Sequence, residues 1–341
     1  MYVTTSEQRG GILVAVITGG RPELRQRPVR HLLPVLQDAG VQDVTWVVSD
    51  QDAPGYEPDQ HPQVIYPRAW AEEYAAAHWM NPAPPEPGAF LGAFPGREWA
   101  CQEAERRGCW AVLQLDDNID TLEFLRRSGA SMRYTLEHGG MALFLDCLAG
   151  VMLSTNARTV GGQLSSVAPS SKQAAQVARA GFPYSLFLER VGEGREEWYG
   201  PFEDDITHSL QYGSRWDGAT AAVVPSLRYH KEPGSKSGMR SHYSGTRAVQ
   251  LQRLFPQSAN IGVRATRSNG RGEGRVFHTM PPGAVRNPLV VRDRALFSAV
   301  RDRLQELTVG WFAVELEANQ DKARRRAAQA EKMSGGQPVN G

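Results

Sequence analysis

Trp110-Ala-Val-Leu-Gln-Leu-Asp116-Asp117-Asn118 is the stretch on which the fold reading turns. An apolar run passes directly into a cluster of acidic and amide oxygens, as a buried parallel strand does where its carboxyl end meets a ligand crevice. Hard oxygen donors at such a strand end suit Mg²⁺ or Mn²⁺ shared with substrate phosphates. The same residue types also make turns and caps. On that reading Asp117 or Asn118 simply caps a helix over 119–127.

Working upstream, Ile12 to Thr18 (ILVAVIT) is a continuous apolar, β-branched run that suits a strand buried on both faces. Gly19-Gly20-Arg21-Pro22 follows, a loop able to approach a ligand closely. Val29 to Ala39 has helical spacing and stops at Gly40, and Val44 to Val48 is a second strand ending at Ser49-Asp50. This β-α-β order predicts parallel strands with a right-handed crossover. Residues 51–96 are rich in Pro and aromatics and read as a long excursion with a short helix near 72–78; Arg97 to Arg107 is then a helix closed by Gly108. The Asp116 strand is therefore the third parallel strand. Ala142 to Met152 is helix or strand, and Lys172 to Ala180 reads as a helix stopped by Gly181.

Downstream, Glu203-Asp204-Asp205 lie between an aromatic loop (Trp198, Tyr199, Phe202) and a helix beginning near Ile206. One acidic residue is explained by a helix N-terminus. Three in a row repel, raising the pKa of at least one, and a carboxylate so tuned is a general base toward an alcohol. The aromatics are either core or stacking surfaces for a sugar or base. The strand Ala221 to Tyr229 delivers His230 and Lys231 to a Gly/Ser loop that carries Lys236 and Arg240, a plausible cover for a diphosphate.

The chain has 341 residues, 41% hydrophobic, enough for one large α/β domain or two smaller ones. Cys101, Cys109 and Cys147 lack CxxC spacing and read as reduced thiols, the N-terminus does not resemble a signal peptide, and a cytoplasmic protein is expected. Met141 to Leu153 is too short to span a membrane. The net charge of +1 hides an asymmetry. Residues 1–227 carry 18 Lys+Arg against 28 Asp+Glu, whereas residues 228–275 carry ten against two. Such a basic segment points to a polyanionic partner, or else to arginines paired with acidic groups of the body.

Four features now stand in order: the strand with its Gly/Arg loop, Asp116-Asp117-Asn118, Glu203-Asp204-Asp205, and the strand-end His230. That order is similar to the GT-A glycosyltransferases. The resemblance implies a Rossmann-like α/β sandwich with a mostly parallel central sheet over residues 1–235. A basic, helical extension over 236–333 would take the acceptor, and 334–341 would form a disordered tail. It further implies a Mn²⁺ or Mg²⁺ ion on Asp116, Asn118 and His230, matching the DxD and C-terminal His positions. Asp204 becomes the base, with Glu203 and Asp205 beside it. Thr18, Gly19, Arg21, Asp50, Asp117, Lys231 and Lys236 would hold a nucleotide-sugar such as a UDP-sugar. The departures are Asn118 at the third DxD position and the extra Asp205.

Within that superfamily, the LQLDDNI segment, the EDD helix start and the basic segment resemble the TET/JBP-associated glycosyltransferases of phage genomes. That likeness implies transfer of a sugar to a hydroxymethylated pyrimidine in DNA, 5-hydroxymethylcytosine above all, with basic residues from Arg240 to Arg275 holding phosphates and His242, Tyr243 or Asn269 touching the target base. Three other readings compete: a GT-A enzyme with a glycan, protein or small-molecule acceptor, a sugar nucleotidyltransferase, and a non-catalytic DNA-binding module. The cluster Lys322 to Arg326 reads as a solvated face of a helix running from Leu304.

Overall fold

The structure is a computed structural model, and it describes residues 2–20, 44–56, 62–81, 83–125, 131–134, 140–167, 176–201, 203–231, 247–265, 274–281 and 283–307. A short helix α1 (Ser6–Gly10) leads into β1 (Ile12–Ile17), followed by β2 (Val44–Ser49), β3 (Gln63–Tyr66), α2 (Arg68–His78), α3 (Phe94–Arg106) and β4 (Ala111–Asp116). A hairpin, β5 (Ile119–Leu125) and β6 (Ser131–Tyr134), precedes α4 (Gly140–Ser154) and β7 (Ala157–Leu164). Then come β8 (Arg179–Ala180), β9 (Leu186–Arg190), α5 (Asp204–Tyr212) and β10 (Thr220–Lys231). The chain continues through α6 (Arg247–Leu254), the hairpin β11 (Asn260–Ala265) and β12 (Gly274–Thr279), and a helix α7 over 294–307.

The strands form a sheet of order β3-β2-β1-β4-β9-β7-β10-β5-β6, with β8 added on β10. β1 pairs in parallel with β2 and β4, β2 with β3, and β7 with β10, while β9 runs antiparallel between β4 and β7. The result is a mixed α/β, Rossmann-like fold with a large, mostly parallel central sheet.

β1 shows why its sequence reads as it does. Its six residues are all buried, with Ile12, Val14 and Val16 facing one core and Leu13, Ala15 and Ile17 facing the other. The first core lies under α4 and α7; the second lies under α2 and α3. A strand sandwiched between helices on both faces has no polar side, which is the physical content of an unbroken apolar run.

Several expectations need correction. The helix proposed over 119–127 is instead strand β5 through Leu125, so Asp117 and Asn118 turn between two strands rather than cap a helix. Arg179–Ala180 is a strand on β10 rather than the end of a helix, because its backbone pairs with Ala222 and Val223. The expected helix at Leu304 begins ten residues earlier, at 294, where Asp293 Oδ1 accepts from the backbone N–H of Ala295 and Leu296. α7 is also no appendage. Val300, Leu304 and Leu307 are buried in the first core, and residues 287–292 are hydrogen-bonded to the body through Asn156, Ser154 and Gly213. The helix expected at 29–39, Arg21, Lys236, Arg240, His242, Tyr243, Asn269, the cluster at 322–326 and the tail at 334–341 lie outside the described residues.

Candidate active site at the switch point of the sheet

Strand order reverses between β1 and β4, and ligands of open parallel sheets bind at the carboxyl ends of the strands flanking such a reversal. Thr18 follows β1 and Asp117 follows β4. They meet there: Thr18 Oγ1 donates to Asp117 Oδ2 at 2.8 Å and lies 2.7 Å from the Tyr56 hydroxyl. Asp117 and Asn118 are both buried.

Asp116, the last residue of β4, is bound by two cations. Arg97 Nη2 donates to its Oδ1 at 2.8 Å, and Lys231 Nζ donates to its Oδ2 at 2.5 Å. Burial alone would raise the Asp116 carboxyl, but Lys231 and Arg97 hold it well below the usual carboxylate range. Arg97 comes from the first turn of α3 and is 3% exposed. Its Nε donates to Asp204 Oδ2 at 2.8 Å, so one buried guanidinium joins the strand-end acid to the helix-start acid. Lys231 also donates to Ser185 Oγ at 2.6 Å.

Asp204 and Asp205 open α5. Burial, followed by the charge of Asp204, pushes Asp205 up to about 7. Glu203 is the N-cap with φ of 53°, and it is held by Arg247 from α6, with His278 Nδ1 of β12 3.5 Å from its Oε1. Burial and then the Arg247 charge depress His278 to about 4. Among the described residues, the non-glycine positions with positive φ are Ser185 and Glu203, and both belong to this cluster. Strained backbone of that kind persists where the surroundings over-determine it, typically at functional sites.

A polar floor supports the cluster from inside the sheet. Gln114 lies between Arg97 (3.4 Å) and Glu189 (3.1 Å). Glu189 accepts from Trp198 Nε1 at 3.1 Å and the Tyr212 hydroxyl at 3.2 Å, with His208 Nε2 2.6 Å away. Burial would raise the Glu189 carboxyl; His208 holds it down. Trp198 stacks on His208 at 3.8 Å and is part of the second core, so it is no free stacking platform.

The expected metal set does not assemble. Both oxygens of Asp116 are already taken by cations, and Glu123 Oε1 lies 2.6 Å from His230 Nε2, away from the Asp116 pairing. A bulge between His230 and Lys231 separates the two residues' roles: the strand end sends Lys231, not His230, to Asp116. Among the described residues no group of three or more His, Cys, Asp or Glu side chains is placed to hold a metal ion. The residues present therefore do not fit a divalent cation on Asp116, Asn118 and His230.

Asp50 is also displaced from its expected part. It is exposed and accepts from the Arg68 backbone N–H at 2.9 Å. Asp52 faces the Gly19 loop instead, since a methyl group added at Gly19 would sit 3.2 Å from Asp52 Oδ2. Sequence reasoning missed Arg97, Ser185, Tyr56 and Asp52. Arg97 carried no local signal, because its partners lie 19 and 107 residues away.

No protein-family model matches the chain, and no curated protein matches it. Among solved structures it is similar to one described as the crystal structure of a mycobacterial protein. The two are 13% identical over 83% of this chain and 92% of the other, with a TM-score of 0.45. Likeness at that level conveys neither activity nor ligand. Among the described residues no helix is long and apolar enough to cross a membrane.

Proposed function

We propose that this protein is a glycosyltransferase that moves a sugar from a nucleotide-sugar to the hydroxyl of a hydroxymethylated pyrimidine in DNA, with cations of the chain serving where relatives of the resembled family use a metal. The observation that carries the reading is Arg97, buried at the switch point and bonded to both Asp116 and Asp204. A carboxylate pair, one member of raised pKa, thus stands at the strand-order reversal, the position where open parallel sheets take nucleotides. In the proposed step one carboxylate of the Asp204–Asp205 pair takes the proton of the acceptor hydroxyl as its oxygen attacks the anomeric carbon. The bond from that carbon to the diphosphate oxygen breaks, and configuration inverts. Arg97 and Lys231 supply positive charge near the departing diphosphate.

Support for DNA as acceptor comes from the β11–β12 ribbon. Its register sets Arg264 opposite Arg275, and the intervening sequence adds Arg267 and Arg271. A two-stranded ribbon fits the major groove, where a 5-hydroxymethyl group lies. The ribbon is rooted at the cluster through His278 and through α6, whose Leu251 packs on Ile206 and Leu210 of α5. Against this, Arg228, Lys231 and Arg247 of the basic segment turn inward onto Glu123, Asp116 and Glu203. Phosphate contacts are thus left to the remaining cations, of which Arg253 is exposed.

The test is mass spectrometry of nucleosides from 5-hydroxymethylcytosine duplex DNA incubated with a panel of nucleotide sugars, in Mn²⁺ and in EDTA. We expect a hexose or N-acetylhexosamine adduct in both arms, lost in Asp204→Asn and Arg97→Met. Adduct in Mn²⁺ alone overturns the metal-free part. Release of free sugar without any DNA adduct overturns the acceptor, and no donor turnover at all overturns the activity.

A further inference from the structure

A second concave site lies at the other end of the sheet. β9 begins beside the cluster, at Leu186 next to Ser185, and ends at Arg190, which pairs in register with Ala111 at the start of β4. At ~3.3 Å per residue the two ends are about 13 Å apart along the strand. A cavity of about 390 Å³ opens there, between the starts of β7 and β10 and the residues that lead into α7.

Its charge is unbalanced. Arg158, Arg190, Arg215 and Arg292 all line it. Arg215 is neutralised by Asp217 at 2.7 Å and Glu196 at 2.5 Å. Among the described residues the other three form no ion pair, although Asp217 lies near enough to Arg158 to feel its charge and Glu193 also lines the cavity. Arg158 donates to the Glu193 backbone carbonyl and leaves its Nε buried without a partner. Arg190 is half-buried, and burial together with the Arg158 and Arg292 charges makes its guanidinium easier to deprotonate than usual. Like charges held together in a concavity are destabilised until an anion joins them. Gly194, at φ of 78°, helps keep the cavity open, since a methyl group there would sit 3.3 Å from Arg158 Nη2. At the rim Trp216 is 96% exposed, a fully wetted indole on the same cavity as Arg158, Arg190 and Arg292.

We infer that this cavity is a second ligand site, distinct from the switch-point cluster, and that it binds a nucleoside phosphate. The phosphates lie among Arg158, Arg190 and Arg292, and the base stacks on Trp216. Arginine forks match phosphate oxygens, and an exposed indole offers a base the flat apolar partner it needs. The inference does not depend on the glycosyltransferase reading.

Calorimetric titration of the full chain with pyrophosphate, AMP and ribose 5-phosphate tests it. Arg190→Gln keeps a polar side chain at the end of β9 and Trp216→Ala removes an exposed ring, and matching melting curves verify that both variants fold. We expect saturable pyrophosphate and AMP binding that weakens at least tenfold in Arg190→Gln. AMP should bind more tightly than ribose 5-phosphate, and that advantage should disappear in Trp216→Ala. Binding unchanged in Arg190→Gln, or none up to millimolar concentration, overturns the site. Anion binding that is lost in Arg190→Gln but indifferent to the base and to Trp216 overturns the nucleoside assignment.

Discussion

Asp205 and Arg97 show how much of this site depends on single groups. Asp205 is half-buried against Asp204, and its pKa of about 7 stands above the ordinary ~3.9 of an unfolded Asp. Between those values the folded protein retains a proton that the unfolded chain has released, so stability falls as pH rises through that window. Below about pH 4 the group costs nothing; above about 7 the cost is complete. Asp205→Asn removes it, so the variant should melt several degrees above the parent at pH 8, with the gap closing toward pH 4.5. Equal gaps at both pH values would show that the carboxylate is not the source. The raised pKa was anticipated from three adjacent acids. What sequence cannot display is the compensating cation: Arg97 sits in an unremarkable helix start, and its meaning arises only when α3 lays it between Asp116 and Asp204.

At the scale of elements, β1, β2, β4 and α3 were legible because each is long, evenly patterned and closed by a glycine or a polar turn. β9 was not. LFLER is five residues long with one charged residue inside the core, and periodicity offers nothing over so short a window. β5 was misread because its turn residues, Asp117 and Asn118, are equally good caps. The neighbouring β7 carries Gly161 and Gly162 in mid-strand, where glycine ordinarily weakens a sheet. Here the spacing between elements requires it. A methyl group at Gly161 would lie 2.5 Å from Pro183 Cβ and 2.7 Å from the Leu186 carbonyl oxygen. Gly161→Ala should cost about 1–3 kcal/mol through overpacking, lowering Tm by a few degrees. A variant as stable as the parent would mean that β9 moves away without penalty.

Across the whole molecule, α7 falls within the extension expected over 236–333 and packs into the core of the sheet. Val300, Leu304 and Leu307 close the first core from the side opposite α2 and α3. Burying three such side chains is worth roughly 1.5–3 kcal/mol each, comparable in sum to the net stability of a typical domain. Truncation before residue 294 should therefore yield a chain without a cooperative melting transition, read by calorimetry. A truncated protein that melts sharply near the parent temperature would show the helix to be dispensable. The basic ribbon, by contrast, was foreseen as charge along the sequence and not as a two-stranded element, because the alternation of Ile261, Val263 and Ala265 spans too short a window to mark a strand and the side chains of Ile261 and Val263 are exposed.

Gly150 of α4 is where the two ends of the described chain come together: a methyl group placed there would lie 3.0 Å from Val3 and 2.5 Å from Val300. Nearby, Asp146 accepts from the backbone N–H of Val3 and Thr4, at 2.7 and 2.9 Å. This arrangement sets an order of events during synthesis. The segment at Val3 cannot complete its packing beside Gly150 until the segment at Val300, about 300 residues later in the chain, has been made. At ~5–20 residues per second that wait lasts on the order of 15–60 s, during which the face of α4 is uncovered and open to chaperones.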